Sequence, residues 1–227
     1  MGAGAEPVAA SRTVVQLRPV ASALPMGFLG LAGGTFVLAG MQVHWISAEQ
    51  SHPVAFVLLA FVFPLQSLAS VFGFLCRDVA VATGMAVLSG TWLALGLITL
   101  TGPPGARSGA AGLLLLLAAV ALWVPVTAGG SGRLLVAAVI AVASVRFAAT
   151  GVYELTGAEG WKHTAGVIGL VLAAVAVYAA FALAVEDQHR RAVLPTGRRA
   201  AGAGVLDGDW GHQTDRIARE AGVRRQL

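Results

Sequence analysis

Along the first 185 residues, apolar side chains run in six stretches of about twenty, and the charged residues gather in the short breaks between them. The stretches are 26–47, 53–75, 79–100, 109–127, 134–153 and 164–185. A helix needs about 20 predominantly apolar residues to cross ~30 Å of hydrocarbon, so each stretch predicts one transmembrane helix. The helical form is required because lipid offers no partner for unpaired backbone N–H and C=O groups. The expected fold is all-α: a polytopic six-transmembrane-helix bundle over 26–185, with one tail over 1–25 and another over 186–227.

Composition agrees. Of 227 residues, 57% are hydrophobic and 11% charged, against roughly 45–50% and 25% in soluble domains. Nine charged side chains lie between Met26 and Glu186, and all but Arg146 fall in the breaks. Lys and Arg are retained on the cytoplasmic side during insertion. Placing both termini there collects Arg12, Arg18, Arg77, Arg133 and eight arginines from Arg190 to Arg225, twelve in all. Only Arg107 and Lys162 fall on the opposite side. Both tails are thus expected in the cytoplasm, and the bacterial inner membrane is the expected location. Glu6, Arg12 and Arg18 interrupt the first 25 residues, which argues against a removable signal peptide. Cys76 is alone, so no internal disulfide is expected. The pI near 10.2 arises from membrane-flanking tails without a recognised binding motif, and no nucleic-acid partner is expected.

The spans differ in ways that bear on function. The first carries Gly27, Gly30, Gly33, Gly34 and Gly40, and Gly30 with Gly34 forms a GxxxG that permits close helix approach; glycine is also common in membrane helices generally. Polar residues near mid-membrane require a partner or water. They are Thr35 in the first span, Gln66 in the second, Ser89 and Thr91 in the third, and Ser144 and Arg146 in the fifth. The fourth and sixth spans have almost none. The expectation is a polar path between spans one, two, three and five, with four and six facing lipid or a neighbouring subunit. Pro64, lacking an N–H for the carbonyl of Ala60, predicts a kink near Gln66.

Arg146 stands within about one helical turn of the middle of its span, where a guanidinium costs ~2.5–3.5 kcal/mol on insertion scales. It is either an attractor for a carboxylate or other small anion, or an arginine locked to backbone carbonyls or at a subunit interface. On the side opposite the tails, His44, Glu49, His52, Glu154, Glu159 and His163 form either a proton-sensing mouth or a solvated rim. In the C-terminal tail, Leu206, Trp210, Ile217 and Ala221 share one side of a short amphipathic helix. No Walker loop, GxSxG elbow, HExxH or CxxC pair is present, so no cofactor, no metal and no enzymatic activity are expected, and a channel or secondary carrier is favoured.

Several residues carry a resemblance. Ser22-Ala23-Leu24-Pro25-Met26-Gly27-Phe28 resembles the Asn-Pro-Ala-Pro-Leu-Gly-Leu motif opening the first span of the acetate uptake transporters, also called succinate–acetate permeases, with Pro25 and Gly27 matching. Gln66 is similar to the glutamine of that family's Ala-Gln pair, and Ala82-Thr83 with Trp92 resembles the ends of its third-span run. The resemblance covers most of 22–187. It implies a six-helix protomer, commonly a hexamer, with a narrow path for acetate and related short carboxylates. The family's constriction aromatics fall on Leu31 and Leu88, which are aliphatic here, and this leaves substrate size and selectivity open.

The resulting expectation is a membrane transporter or channel for small carboxylates such as acetate or succinate, with proton symport an open feature. Its path residues are Pro25, Gly27, Leu31, Thr35, Gln66, Leu88, Ser89 and Arg146. Two alternatives stand beside it: a channel for a neutral solute such as urea or an amide, and a non-transporting scaffold acting through the C-terminal tail.

Overall fold

The computed structural model of the chain describes residues 21–129, 132–189 and 193–197. Most of the N-terminal tail and the amphipathic stretch around Trp210 lie outside the described residues. The described residues form six helices long and apolar enough to cross a membrane: α1 (Leu24–Gln42), α2 (Ala48–Leu75), α3 (Val79–Thr101), α4 (Gly109–Ala128), α5 (Leu134–Thr156) and α6 (Glu159–His189).

Local chemistry sets several boundaries. Pro25 stands in the first turn of α1, where its missing N–H leaves no bond unmade. Asp78 caps α3 by accepting from the Val81 N–H at 3.1 Å, and Ser108 caps α4 through the Ala111 N–H at 3.3 Å. Gly157, at φ +72°, ends α5 in the left-handed conformation. The irregularity announced by Pro64 takes the form of a π-turn over Leu58–Val62, with the Phe63 N–H donating to the Leu58 carbonyl, and the helix runs on to Leu75.

Packing follows the small residues. A Cβ on Gly30 would lie 3.2 Å from Leu65 Cβ, and one on Gly34 2.8 Å from Val62 Cγ2, so the GxxxG pair seats α1 against α2. Between α4 and α5 the backbones themselves meet: a Cβ on Gly151 would stand 2.9 Å from the Gly112 carbonyl.

The expected outward position of the fourth and sixth spans is half right. α4 turns Leu113, Leu117, Val120 and Val124 outward. α6 does not face outward as a whole: it packs along α1 and against α5, burying Gly166, Gly169, Leu172, Ala176, Ala179 and Ala180. The physical reason is that lipid tails are as apolar as a helix interface, so close packing of small residues, rather than polarity, selects the helix that goes inside.

Candidate functional site

At the end of the bundle where α1 meets α2 and α5 meets α6, the helices part around a cavity of about 380 Å³. His44, Arg107, Glu154 and Lys162 contribute to its rim, and Gln42 and Thr150 line it more deeply. The 102–108 connection is tied across this vestibule. The Gly105 N–H donates to Ser51 Oγ (3.2 Å), the Ser108 N–H to Glu154 Oε2 (2.8 Å), and His52 Nε2 bonds the Gly102 carbonyl (2.9 Å). Lys162 Nζ lies 3.2 Å from Glu159 and 5.6 Å from the centre of the Tyr153 ring. Of the six His and Glu residues expected at a mouth, only His44 and Glu154 line the cavity.

Arg146 lies in the bundle interior, 1% exposed. One of its terminal nitrogens donates to Gln42 Oε1 at 3.4 Å, and its Cζ stands 5.9 Å from the centre of the Trp92 ring, which in turn meets Phe147 edge-on. Gly169 of α6 makes room for it, since a Cβ there would come within 2.6 Å of Arg146 Nε. Among the described residues no carboxylate pairs with Arg146, and its Nε–H has no hydrogen-bond partner. The guanidinium is held by a neutral amide and an aromatic face, an arrangement that leaves its charge available to an anion.

The remaining mid-membrane polar residues divide into two groups. Ser89 bonds Ser67 Oγ at 2.6 Å and the Phe63 carbonyl at 3.3 Å, Thr91 donates to Val87 O in its own helix, and Ser144 donates to Ala119 O of α4. Their polar groups are satisfied by helix packing. Among the described residues, Thr35 Oγ1, Gln66 Oε1 and Trp92 Nε1 are buried without a partner, as is Arg146 Nε. Each of these buried polar atoms would gain from a polar partner, which distinguishes them from the three hydroxyls.

The expected path residues are thus not gathered at one point. Gln66 Nε2 donates to the Gly27 carbonyl at 3.3 Å, joining those two, while Leu31 and Leu88 are fully buried in the apolar core. Pro25 stands at the start of α1, at the end of the bundle away from the vestibule. Arg146 is bonded instead to Gln42, which with Thr150 and Gly169 is not among the expected path residues. Thr150 is legible from spacing: at i+4 from Arg146 it lies on the same face of α5, one turn nearer the cavity.

No protein-family model matches the chain, and no curated protein sequence matches it. Among solved structures it is similar to the bacterial acetate channel SatP, with a TM-score of 0.70 and 23% sequence identity over 79% of this chain and 100% of that one. The six membrane helices of this protein are therefore arranged in the fold of a bacterial acetate channel.

Proposed function

We propose that this protein is a membrane channel or carrier for small carboxylates of the acetate and succinate class. The observation that carries the reading is Arg146, a buried guanidinium without a carboxylate partner among the described residues, set just beyond the Gln42 and Thr150 side chains that line a 380 Å³ vestibule. The shared fold with an acetate channel supports it. An anion enters the vestibule, past Arg107 and Lys162, and exchanges part of its hydration shell for the fixed donors around Arg146. It then passes the apolar stretch at Leu31 and Leu88, where larger hydrated ions are rejected, toward Gln66 and Gly27. The vestibule opens outward and both tails are cytoplasmic, the orientation that leaves twelve cationic residues inside and two outside. Assembly is homo-oligomeric, a hexamer by family resemblance, and coupling to protons is part of the proposal.

Reconstitution in liposomes with labelled acetate and succinate under an imposed pH gradient tests this directly. Uptake above that of empty liposomes is expected, and an effect of the gradient on its rate reads the proton coupling. Arg146→Gln should lower anion flux about ten-fold or more, the scale of losing one charge-assisted contact. Wild-type flux in the folded variant would reduce Arg146 to a packing residue. A neutral-solute channel is the second reading, favoured by the unpaired amide oxygen of Gln66. Competition by acetamide rather than by acetate would support it.

A further inference from the structure

Gln42 stands between the vestibule and Arg146. The side chain lines the cavity and is nonetheless part of a residue only 4% exposed, because its amide turns inward. The amide oxygen accepts from Arg146 at 3.4 Å, the amide nitrogen donates to Thr150 Oγ1 at 3.3 Å, and the Thr150 hydroxyl donates to the Arg146 backbone carbonyl at 3.0 Å. These three bonds close a ring. The chemistry fixes the orientation of the amide, since a guanidinium only donates and so only the oxygen can face it.

A carboxamide has nearly the shape of a carboxylate, with a neutral oxygen where the carboxylate presents a charged one. The contact to Arg146 lies at the long limit for a hydrogen bond, whereas a guanidinium meeting an ionised carboxylate closes to about 2.7–2.9 Å. The α6 backbone is bare beside both partners: a Cβ on Gly169 would stand 2.6 Å from Arg146 Nε, and one on Gly166 3.0 Å from Gln42 Cβ. These two glycines, three residues apart on one face, leave space that the Gln42 and Arg146 side chains fill.

We infer that Gln42 is a specificity-determining residue that occupies the Arg146 anion site as a neutral stand-in for a carboxylate and yields only to a solute offering a charged acceptor. The inference rests on Arg146 being the anion site proposed above. It adds a threshold to that site. Acetate gains a stronger acceptor-to-guanidinium contact than the one it breaks and displaces the amide. Acetamide offers Arg146 nothing better than Gln42 already does and is refused.

The test uses the whole chain in detergent, with thermal melting titrated by sodium acetate against sodium chloride at matched ionic strength and, separately, by acetamide at constant ionic strength. The same variants are then assayed for flux in liposomes. Wild type should be stabilised by acetate and not by acetamide, and Arg146→Gln should lose the acetate response. Gln42→Ala, and the better-packed Gln42→Met, should bind acetate roughly two- to ten-fold tighter, the range that one displaced hydrogen bond spans. Gln42→Glu should abolish the acetate response while melting above wild type, because its fixed carboxylate then pairs with Arg146. Acetate binding by Gln42→Met that is equal to or weaker than wild type would overturn the inference, as would a wild-type acetate response in Gln42→Glu. Equal acetate responses in wild type and Arg146→Gln overturn instead the assignment of the anion site itself.

Discussion

Where α2 turns into α3, Arg133 reaches across to Asp78, whose carboxylate also caps α3 through the Val81 N–H. Nearby, Thr196 donates to the buried Glu186, and the carbonyls of Thr196 and Gly197 accept from the first N–H groups of α5, those of Leu135 and Leu134. A cavity at this end, between α1, α3 and α5, measures about 30 Å³. At the vestibule end the free space is about 380 Å³, and the charge just beyond it, on Arg146, meets a neutral amide. The difference separates two uses of charge in an apolar bundle. A charge with its partner beside it closes a helix end, while Arg146, with no carboxylate partner among the described residues, is the charge that the proposed anion site uses.

The largest expected break in this contrast comes from Gly169→Val. The added carbons would meet Arg146 Nε and Ala39 Cβ, which a single Cβ already approaches to 2.6 and 2.9 Å. Overpacking of this kind costs about 1–3 kcal/mol, and the displaced guanidinium should remove most acetate flux per folded molecule. Thermal melting paired with liposome flux reads the two effects apart. A lower melting point with unchanged flux would mean that the vestibule half is packing as well.

At the closed end, Asp78→Ala should behave in the opposite way. It removes a helix cap and a partly exposed ion pair, together worth about 1–2 kcal/mol. The melting point should fall while acetate flux per folded molecule stays at the wild-type level. A parallel loss of flux would erase the distinction between the two ends.

The smallest effect is expected from Lys162→Gln at the vestibule rim. Its ammonium draws anions over a distance comparable to the screening length, ~10 Å at 0.1 M salt. Acetate entry should slow about two-fold at low ionic strength and match wild type at ~1 M, where screening falls to ~3 Å. A salt-independent difference would instead assign Lys162 to its contacts with Glu159 and Tyr153.

Much of the architecture was legible in the chain because lipid imposes a length. Four of the six helices begin within two residues of the expected spans, α2 and α6 each begin five residues earlier, and only α6 extends past its apolar run at both ends, from Glu159 to His189. Gly30 with Gly34 was legible as a close-packing pair, and Arg146 as the anomalous charge. The inward position of α6 was not, because a stripe of Gly and Ala reads the same whether it meets lipid or another helix. Nor was the partner of Arg146. Gln42 lies 104 residues earlier, near the end of its span, where a polar residue looks like an interfacial one, and no periodicity links the two.

The π-turn over Leu58–Val62 has a consequence for the bearing of Gln66. A π-turn amounts to one residue more than an α-helix needs for the same advance, so everything after it is set about 100° around the axis, the turn per residue of a regular helix. Gln66 lies beyond that offset, and it is there that its amide finds the Gly27 carbonyl. The compass bearing of Gln66 is thus written in the residue count of α2 upstream of it. A helix of this kind can re-aim one polar group by gaining or losing a single apolar residue upstream, without altering the group itself.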